Sequence, residues 1–325
     1  MNHDQMTTRS ERPTFYIGTV PIYGDLILAP MSGYSDLPYR MICREMGSAM
    51  SYVPLILDDA VLNNAARTRS LMAFGESERP VAIQMLGKED ERLLAACREV
   101  LRLEPDMIDL NLGCPARKVA GRGRGAALLD TPEKAAHLAR RLVDELPVPV
   151  TVKIRLGPGD TNRNYLTVAR LLEDAGVAAI AVHGRTREQG FNGRADWAAI
   201  AEIKAAVNIP VLANGDVRQV ADIDAVKAAT GCEGVLIGRG AIGNPWIFER
   251  RDLDDVPVDE RVAMIRRHLQ AMIAFHGEVR GLPAFRKHVV RYVAALDGAT
   301  DLRRRLVQAQ TFDALLEELT FRAIA

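Results

Sequence analysis

Eight times in succession, a short and almost wholly apolar run is followed by a stretch with helical spacing. The apolar runs are 26–30, 50–53, 81–85, 107–111, 150–154, 178–183, 210–214 and 234–238. The helical stretches between and after them are 39–46, 60–71, 89–102, 132–145, 164–175, 197–206, 217–230 and 241–250. Thr131 is expected to cap the fourth helix, and Gly176 to end the fifth. Strands apolar at nearly every position belong to a parallel sheet covered on both faces. Eight strand–helix units in series predict a closed α/β barrel of the (β/α)8, TIM-barrel type. An open doubly wound sheet would place a Gly-rich fingerprint after the first strand. Here that position reads Ala29-Pro30-Met31-Ser32-Gly33, which does not match.

The alternation stops near residue 256. The segments 259–277, 283–296, 302–310 and 311–323 then show helical periodicity alone, so a small all-helical bundle is expected after the barrel. The predicted organisation is a disordered lead over 1–16, a catalytic barrel over 17–256 and a helical domain over 257–325. The last part carries eleven basic and eight acidic side chains, a modest excess in a chain whose net charge is zero. Attraction to a polyanion must therefore come from a local patch. No apolar run approaches the ~20 residues of a membrane span. The polar segment 1–13 lacks the apolar middle of a signal peptide, so a cytoplasmic location is expected. The four cysteines are far apart and form no CxxC pair, which argues against a metal site or a disulfide frame.

Barrel enzymes place their chemistry at the C-terminal ends of the strands. Gln84, Asn111, Lys153, Arg155, His183, Asn214 and Asp216 all fall there. The fourth strand runs into Asn111-Leu112-Gly113-Cys114-Pro115-Ala116-Arg117-Lys118, followed by Gly121, Gly123 and Gly125. Gly and Pro force a corner, so the thiol of Cys114 is expected to point out of a strand end as a proton donor. The seventh and eighth strands end in Asn214-Gly215-Asp216 and Gly238-Arg239-Gly240. Glycines there let backbone N–H groups approach an anion, and Arg239 adds a bidentate contact, so a phosphate-bearing cofactor is the natural occupant. A lysine rising from the barrel centre suits negative charge on a reduced ring such as a flavin. It also suits a Schiff base, which would not need the cysteine.

These motifs, in this order, resemble the tRNA-dihydrouridine synthases, most closely the bacterial B-type enzymes. The stretches that carry the likeness are 29–36, 83–84, 109–115, 152–155, 182–187, 213–216 and 237–239. The resemblance implies FMN as cofactor, NADPH as reductant and tRNA as substrate. It implies flavin contacts from Pro30, Met31, Ser32, Gln84, Lys153, His183, Asn214, Gly215, Asp216, Gly238 and Arg239. It assigns Cys114 as the general acid, Asn111 to the uracil, and Arg117, Lys118, Arg155 and Arg185 to the substrate side. A monomer is expected. The stretch Val53-Pro54-Leu55 stands where the family often carries a Glu, and the loop after Cys114 carries Arg122 and Arg124. Both departures bear on which uridine is modified. Two other readings compete: a flavin barrel oxidoreductase acting on a free pyrimidine, like dihydroorotate dehydrogenase, and a non-catalytic tRNA-binding module. Turnover of free orotate would favour the first. Intact Cys114, Lys153 and Gln84 count against the second.

Overall fold

A computed structural model describes residues 12–64, 66–294, 296 and 298–323. A short antiparallel hairpin comes first, β1 (Phe15–Ile17) with β2 (Val20–Ile22). Eight parallel strands follow: β3 (Leu26–Leu28), β4 (Ser51–Leu57), β5 (Val81–Leu86), β6 (Met107–Asn111), β7 (Val150–Arg155), β8 (Ala179–His183), β9 (Val211–Asn214) and β10 (Gly234–Ile237). Each pairs with its sequence neighbour from β4 to β10, and β10 returns to pair with β3. The seam between β3 and β4 is held differently. Ala49 N donates to Leu26 O (2.7 Å), and the Ser48 hydroxyl accepts from Leu28 N (3.0 Å) while donating to Met50 O (3.1 Å). This is the barrel that the eightfold alternation predicts.

The helices outside it are α1 (Leu37–Glu45), α2 (Asp58–Leu62), α3 (Ala66–Met72), α4 (Asp90–Val100), the single turn α5 (Arg117–Ala120), α6 (Pro132–Glu145), α7 (Tyr165–Asp174), α8 (Trp197–Ala206) and α9 (Val220–Thr230). Strand residues alternate between two apolar clusters, as the period of two requires. On β7, Val150, Val152 and Ile154 face the helices, which leaves Thr151, Lys153 and Arg155 for the interior. The lower interior is filled by Ile27, Met50, Tyr52, Met107 and Leu212, closed from below by Phe15, Ile17 and Ile22 of the hairpin.

That hairpin corrects the expectation of a disordered lead over 1–16. Phe15 belongs to a buried strand that plugs the barrel floor, while residues 1–11 lie outside the described residues. Three further expectations change. The stretch 241–250 is not an α-helix but turns ending in a 3-10 segment, Pro245–Glu249. Gly243 there has φ +78°, and a Cβ on it would lie 2.5 Å from the Arg291 backbone, so the chain bends to admit another helix. The stretch 60–71 is split into α2 and α3. Thr131 sits at the start of α6 but makes no side-chain cap bond.

The C-terminal part consists of α10 (Val258–His276), α11 (Glu278–Tyr292), α12 (Ala299–Gln308) and α13 (Phe312–Ala323). They share an apolar cluster with Ile42 of α1 and Trp246, so those two side chains help seat the bundle on the barrel. Helix α11 begins five residues before the expected Pro283. Gly281 lets it lie close on α10, where a Cβ would come 2.7 Å from Met272 O. The missing N–H of Pro283 deprives only the carbonyl of Val279, a residue 89% exposed and open to water.

Candidate active site

The upper interior of the barrel is polar on five consecutive strands. Gln84, Asp109, Asn111, Thr151, Lys153, Arg155, His183 and Asn214 are all buried there. Buried polar groups persist only when paired, and four of these form a connected chain. Thr151 Oγ1 donates to Asp109 Oδ1 (2.6 Å), and Gln84 Nε2 donates to Asp109 Oδ2 (2.8 Å). Asn111 Nδ2 donates to Gln84 Oε1 (2.7 Å). Asn111 Oδ1 accepts from the backbone N–H groups of Gly113 (3.0 Å) and Cys114 (2.9 Å). The strand end therefore fixes the corner that carries the thiol. Cys114 is partly exposed, whereas Cys43, Cys97 and Cys232 are buried.

On the other side, Lys153 Nζ donates to Asn214 Oδ1 (2.9 Å), and Asn214 Nδ2 donates to Leu236 O (2.8 Å). Burial, with a smaller push from the Arg155 charge, brings the Lys153 ammonium down to about 7. Burial raises Asp109 to about 6, against the pull of Thr151, Gln84 and Lys153. His183 is held far below its usual range by burial and four nearby cations, so it is neutral. Arg185 lies 3.3 Å from its Nε2, and arginine can only donate, so Nε2 accepts and the proton sits on Nδ1.

A test follows for Lys153. Its folded-state value lies below the unfolded one, so its contribution to stability is full above ~10.4 and is lost as pH falls toward about 7. The unfolding free energy of the flavin-free protein minus that of Lys153→Met should therefore rise by a few kcal/mol between these limits. A flat difference in denaturant titrations would contradict a buried, desolvated lysine.

The two arginines expected on the substrate side act mainly on loops. Arg155 donates through Nε to Gly113 O (2.8 Å) and through one terminal nitrogen to Thr186 O (2.9 Å) and Gly190 O (2.8 Å). Arg185 is fully buried, and it donates to Asn192 O, Gly193 O and both oxygens of Asp216. Asp216 stands at φ +58° and also accepts from Ala195 N (2.6 Å), so its carboxylate is spent within the protein. Burial alone would raise that carboxyl, but the hydrogen bonds from Arg185 and Ala195 keep it below the usual range.

Gly215 has φ +126°, and a Cβ there would fall 2.7 Å from Ala195 Cβ and 3.1 Å from His183 Cδ2. Only glycine leaves that floor open. Gly238 faces Met31, whose Sδ would lie 3.6 Å from a Cβ added at 238. Arg239 is half-exposed above, 3.9 Å from Asp216. An open backbone floor with the half-exposed Arg239 guanidinium beside it suits a phosphate group, and Lys153 with the second amide hydrogen of Gln84 suits an electron-rich heterocycle. The residues present thus fit a flavin nucleotide. Pro30 and Ser32 stand on the loop beside Met31, while Arg117 and Lys118 are exposed on α5 beyond Cys114. Among the described residues, no cluster of His, Cys, Asp and Glu could hold a metal ion.

Sequence reading missed Asp109 and Thr151, which the alternation on β6 and β7 would have flagged as interior. It also missed Phe191. That ring is 57% exposed at the rim, with Arg239 4.9 Å and Arg155 5.5 Å from its centre.

Fold and site together define a (β/α)8-barrel enzyme with its chemistry at the strand C-termini. The family model described as "Dihydrouridine synthase (Dus)" matches residues 27–325, and the chain belongs to that family. It is similar to the tRNA-dihydrouridine synthase B of Pseudomonas aeruginosa, 39% identical over 306 residues and covering 92% of each chain. The like-named protein of Pseudomonas syringae pv. tomato is 39% identical over 295 residues, covering 88% of each. That of Vibrio cholerae is 33% identical over 311 residues, covering 93% of this chain and 97% of the relative. Among solved structures, histamine dehydrogenase from Rhizobium sp. 4-9 aligns with a TM-score of 0.55 at 12% identity, over 79% of this chain and 50% of that one. That likeness supports the barrel alone.

Proposed function

We propose that the chain reduces the C5–C6 double bond of particular uridines in tRNA to 5,6-dihydrouridine, with FMN as cofactor, NADPH as reductant and Cys114 as proton donor. The observation that supports this most is the chain of hydrogen bonds Asp109–Gln84–Asn111–Cys114, which ties the Cys114 backbone to the strand end where Asn111 stands beside Lys153. When bound, a reduced flavin would supply the hydride for C6 of the uracil. Negative charge then grows at C5 and O4, and the Cys114 thiol gives its proton to C5. The net change consumes one NADPH and one proton per uridine.

Lys153 and Gln84 would hold the flavin ring. Arg239 and the backbone of Gly215 and Gly238 would hold its phosphate, with Pro30, Met31, Ser32 and Asn214 completing the contacts and His183 bordering them as a neutral group. Asn111 keeps one amide hydrogen for a uracil carbonyl. Asp216 and Arg185 act by fixing the loops around these groups. The target base must leave its stack at a cost of a few kcal/mol, offset by phosphate contacts elsewhere. Arg117 and Lys118 beside Cys114, together with residues 257–325, are assigned to those contacts. The protein works as a cytoplasmic monomer in this reading. No helix among the described residues is long and apolar enough to cross a membrane.

Within the helical part, Lys287 lies 5.0 Å over the ring of Tyr34 at the barrel rim. Arg304 and Arg305 already pair with Asp301 and Glu318. Lys287→Glu should therefore weaken tRNA binding more than charge reversal at 304 or 305. The slope of log affinity against log salt should become shallower by about 1. Binding measured from low to moderate salt checks this, and an unchanged slope would remove the bundle as a docking surface.

A further inference from the structure

We propose that Arg124, clamped by Asp58 and Asp59, is a positioning residue that holds the Cys114 corner in place from behind. The inference rests on the reading of Cys114 as proton donor and adds a device to it. The segment from Gly121 to Gly125 has three glycines in five residues, so little in its own sequence restrains it. Its anchor is electrostatic. One terminal nitrogen of Arg124 lies 2.6 Å from Asp59 Oδ2 and 3.1 Å from Asp58 Oδ1, on helix α2. The Asp58 side chain is fully buried and that of Arg124 only 10% exposed. Arg92 of α4 holds the other oxygen of Asp59, and Asp59 N donates to Asp58 Oδ1 (2.7 Å). The clamp thus joins two helices at the barrel rim, α2 and α4, to one loop.

What the loop touches gives the clamp its meaning. Gly125, next to Arg124, stands at φ +60°, and a Cβ on it would come 3.0 Å from Cys114 O and 3.1 Å from Cys114 Cβ. Ala126 N donates to Cys114 O (3.1 Å). In front, Asn111 and Arg155 hold Gly113 and Cys114 through their backbone. Behind, the only charged anchor within one residue of the contact is Arg124. Fixing its guanidinium fixes the backbone at 125–126, and that backbone sets how far the thiol can retreat from the site. The Arg124 guanidinium is taken up by Asp58 and Asp59, just past the end of β4, so it acts through Cys114 and not on substrate.

Alkylation by iodoacetamide reads the device directly and needs neither flavin nor tRNA. The other three cysteines are buried, so the fast-reacting thiol is Cys114. Arg124→Met should raise the alkylation rate at least about fivefold, with Arg124→Lys in between. It should slow dihydrouridine formation at saturating tRNA about tenfold, while flavin reduction by NADPH stays within twofold. Asp59→Asn takes the charge out of the 2.6 Å contact while Asp58 still faces Arg124, and it should shift alkylation the same way, to a smaller extent, if Arg124→Met folds poorly. Alkylation and turnover both within twofold of the unsubstituted protein in Arg124→Met or Asp59→Asn would overturn the clamp. An inactive Cys114→Ala with an unaffected Arg124→Met would sink the clamp alone. A fully active Cys114→Ala would sink the proton-donor reading beneath it.

Discussion

Cys114→Ala should lower the rate of dihydrouridine formation by about 10²–10⁴-fold, the usual contribution of a positioned proton donor. Binding should survive, because the thiol carries none of the contacts that shape the site. The corner is held through the backbone, by Asn111 Oδ1 on the Cys114 N–H and by Cys114 O accepting from Ala126 N, and alanine keeps both. Flavin absorbance and tRNA affinity of the variant should therefore match those of the parent chain. Single-turnover reaction of reduced enzyme with tRNA isolates the step. A variant that turns over normally would remove Cys114 from the chemistry, whatever the geometry around it.

Asp216→Ala should destabilise the protein by about 3–5 kcal/mol, the cost of leaving one member of a buried ion pair uncompensated. Arg185 is fully buried, and the carboxylate of Asp216 meets it at 2.7 and 2.8 Å. One of those oxygens, Oδ2, also accepts from Ala195 N, so two loops would lose a shared anchor. One of them carries Gly215, where a flavin phosphate would rest. Denaturant unfolding should show the loss of stability, and flavin titration a parallel loss of affinity. Arg185→Met together with Asp216→Ala should recover part of the stability, since no lone charge then remains. Equal stability of Asp216→Ala and the parent chain would mean that water reaches Arg185 and the pair is dispensable.

The barrel was legible because a fully covered parallel sheet must be apolar at nearly every strand position, and eight such runs leave one closed arrangement. The strand-end groups were legible for the same reason, as polar residues interrupt those runs at one end. Three features lay beyond that signal. The hairpin at Phe15–Ile17 is three residues per strand and carries no periodicity to detect. The stretch after β10 has helical spacing, yet Gly243 must admit the Arg291 backbone, a contact with a segment about fifty residues away. Sequence also shows a charge without showing its partner. Arg155 and Arg185 looked like hands for substrate, and their donors turn out to grip carbonyls on the loops of residues 186–193.

The most direct test uses the purified chain loaded with FMN, excess NADPH and an unmodified tRNA transcript. Mass spectrometry of the digested product should show particular uridines heavier by two hydrogens, with NADPH oxidised in equal amount and free uridine or orotate left unchanged. A transcript that stays unmodified while flavin and NADPH are demonstrably bound, or faster turnover of a free pyrimidine, would contradict the proposed reaction.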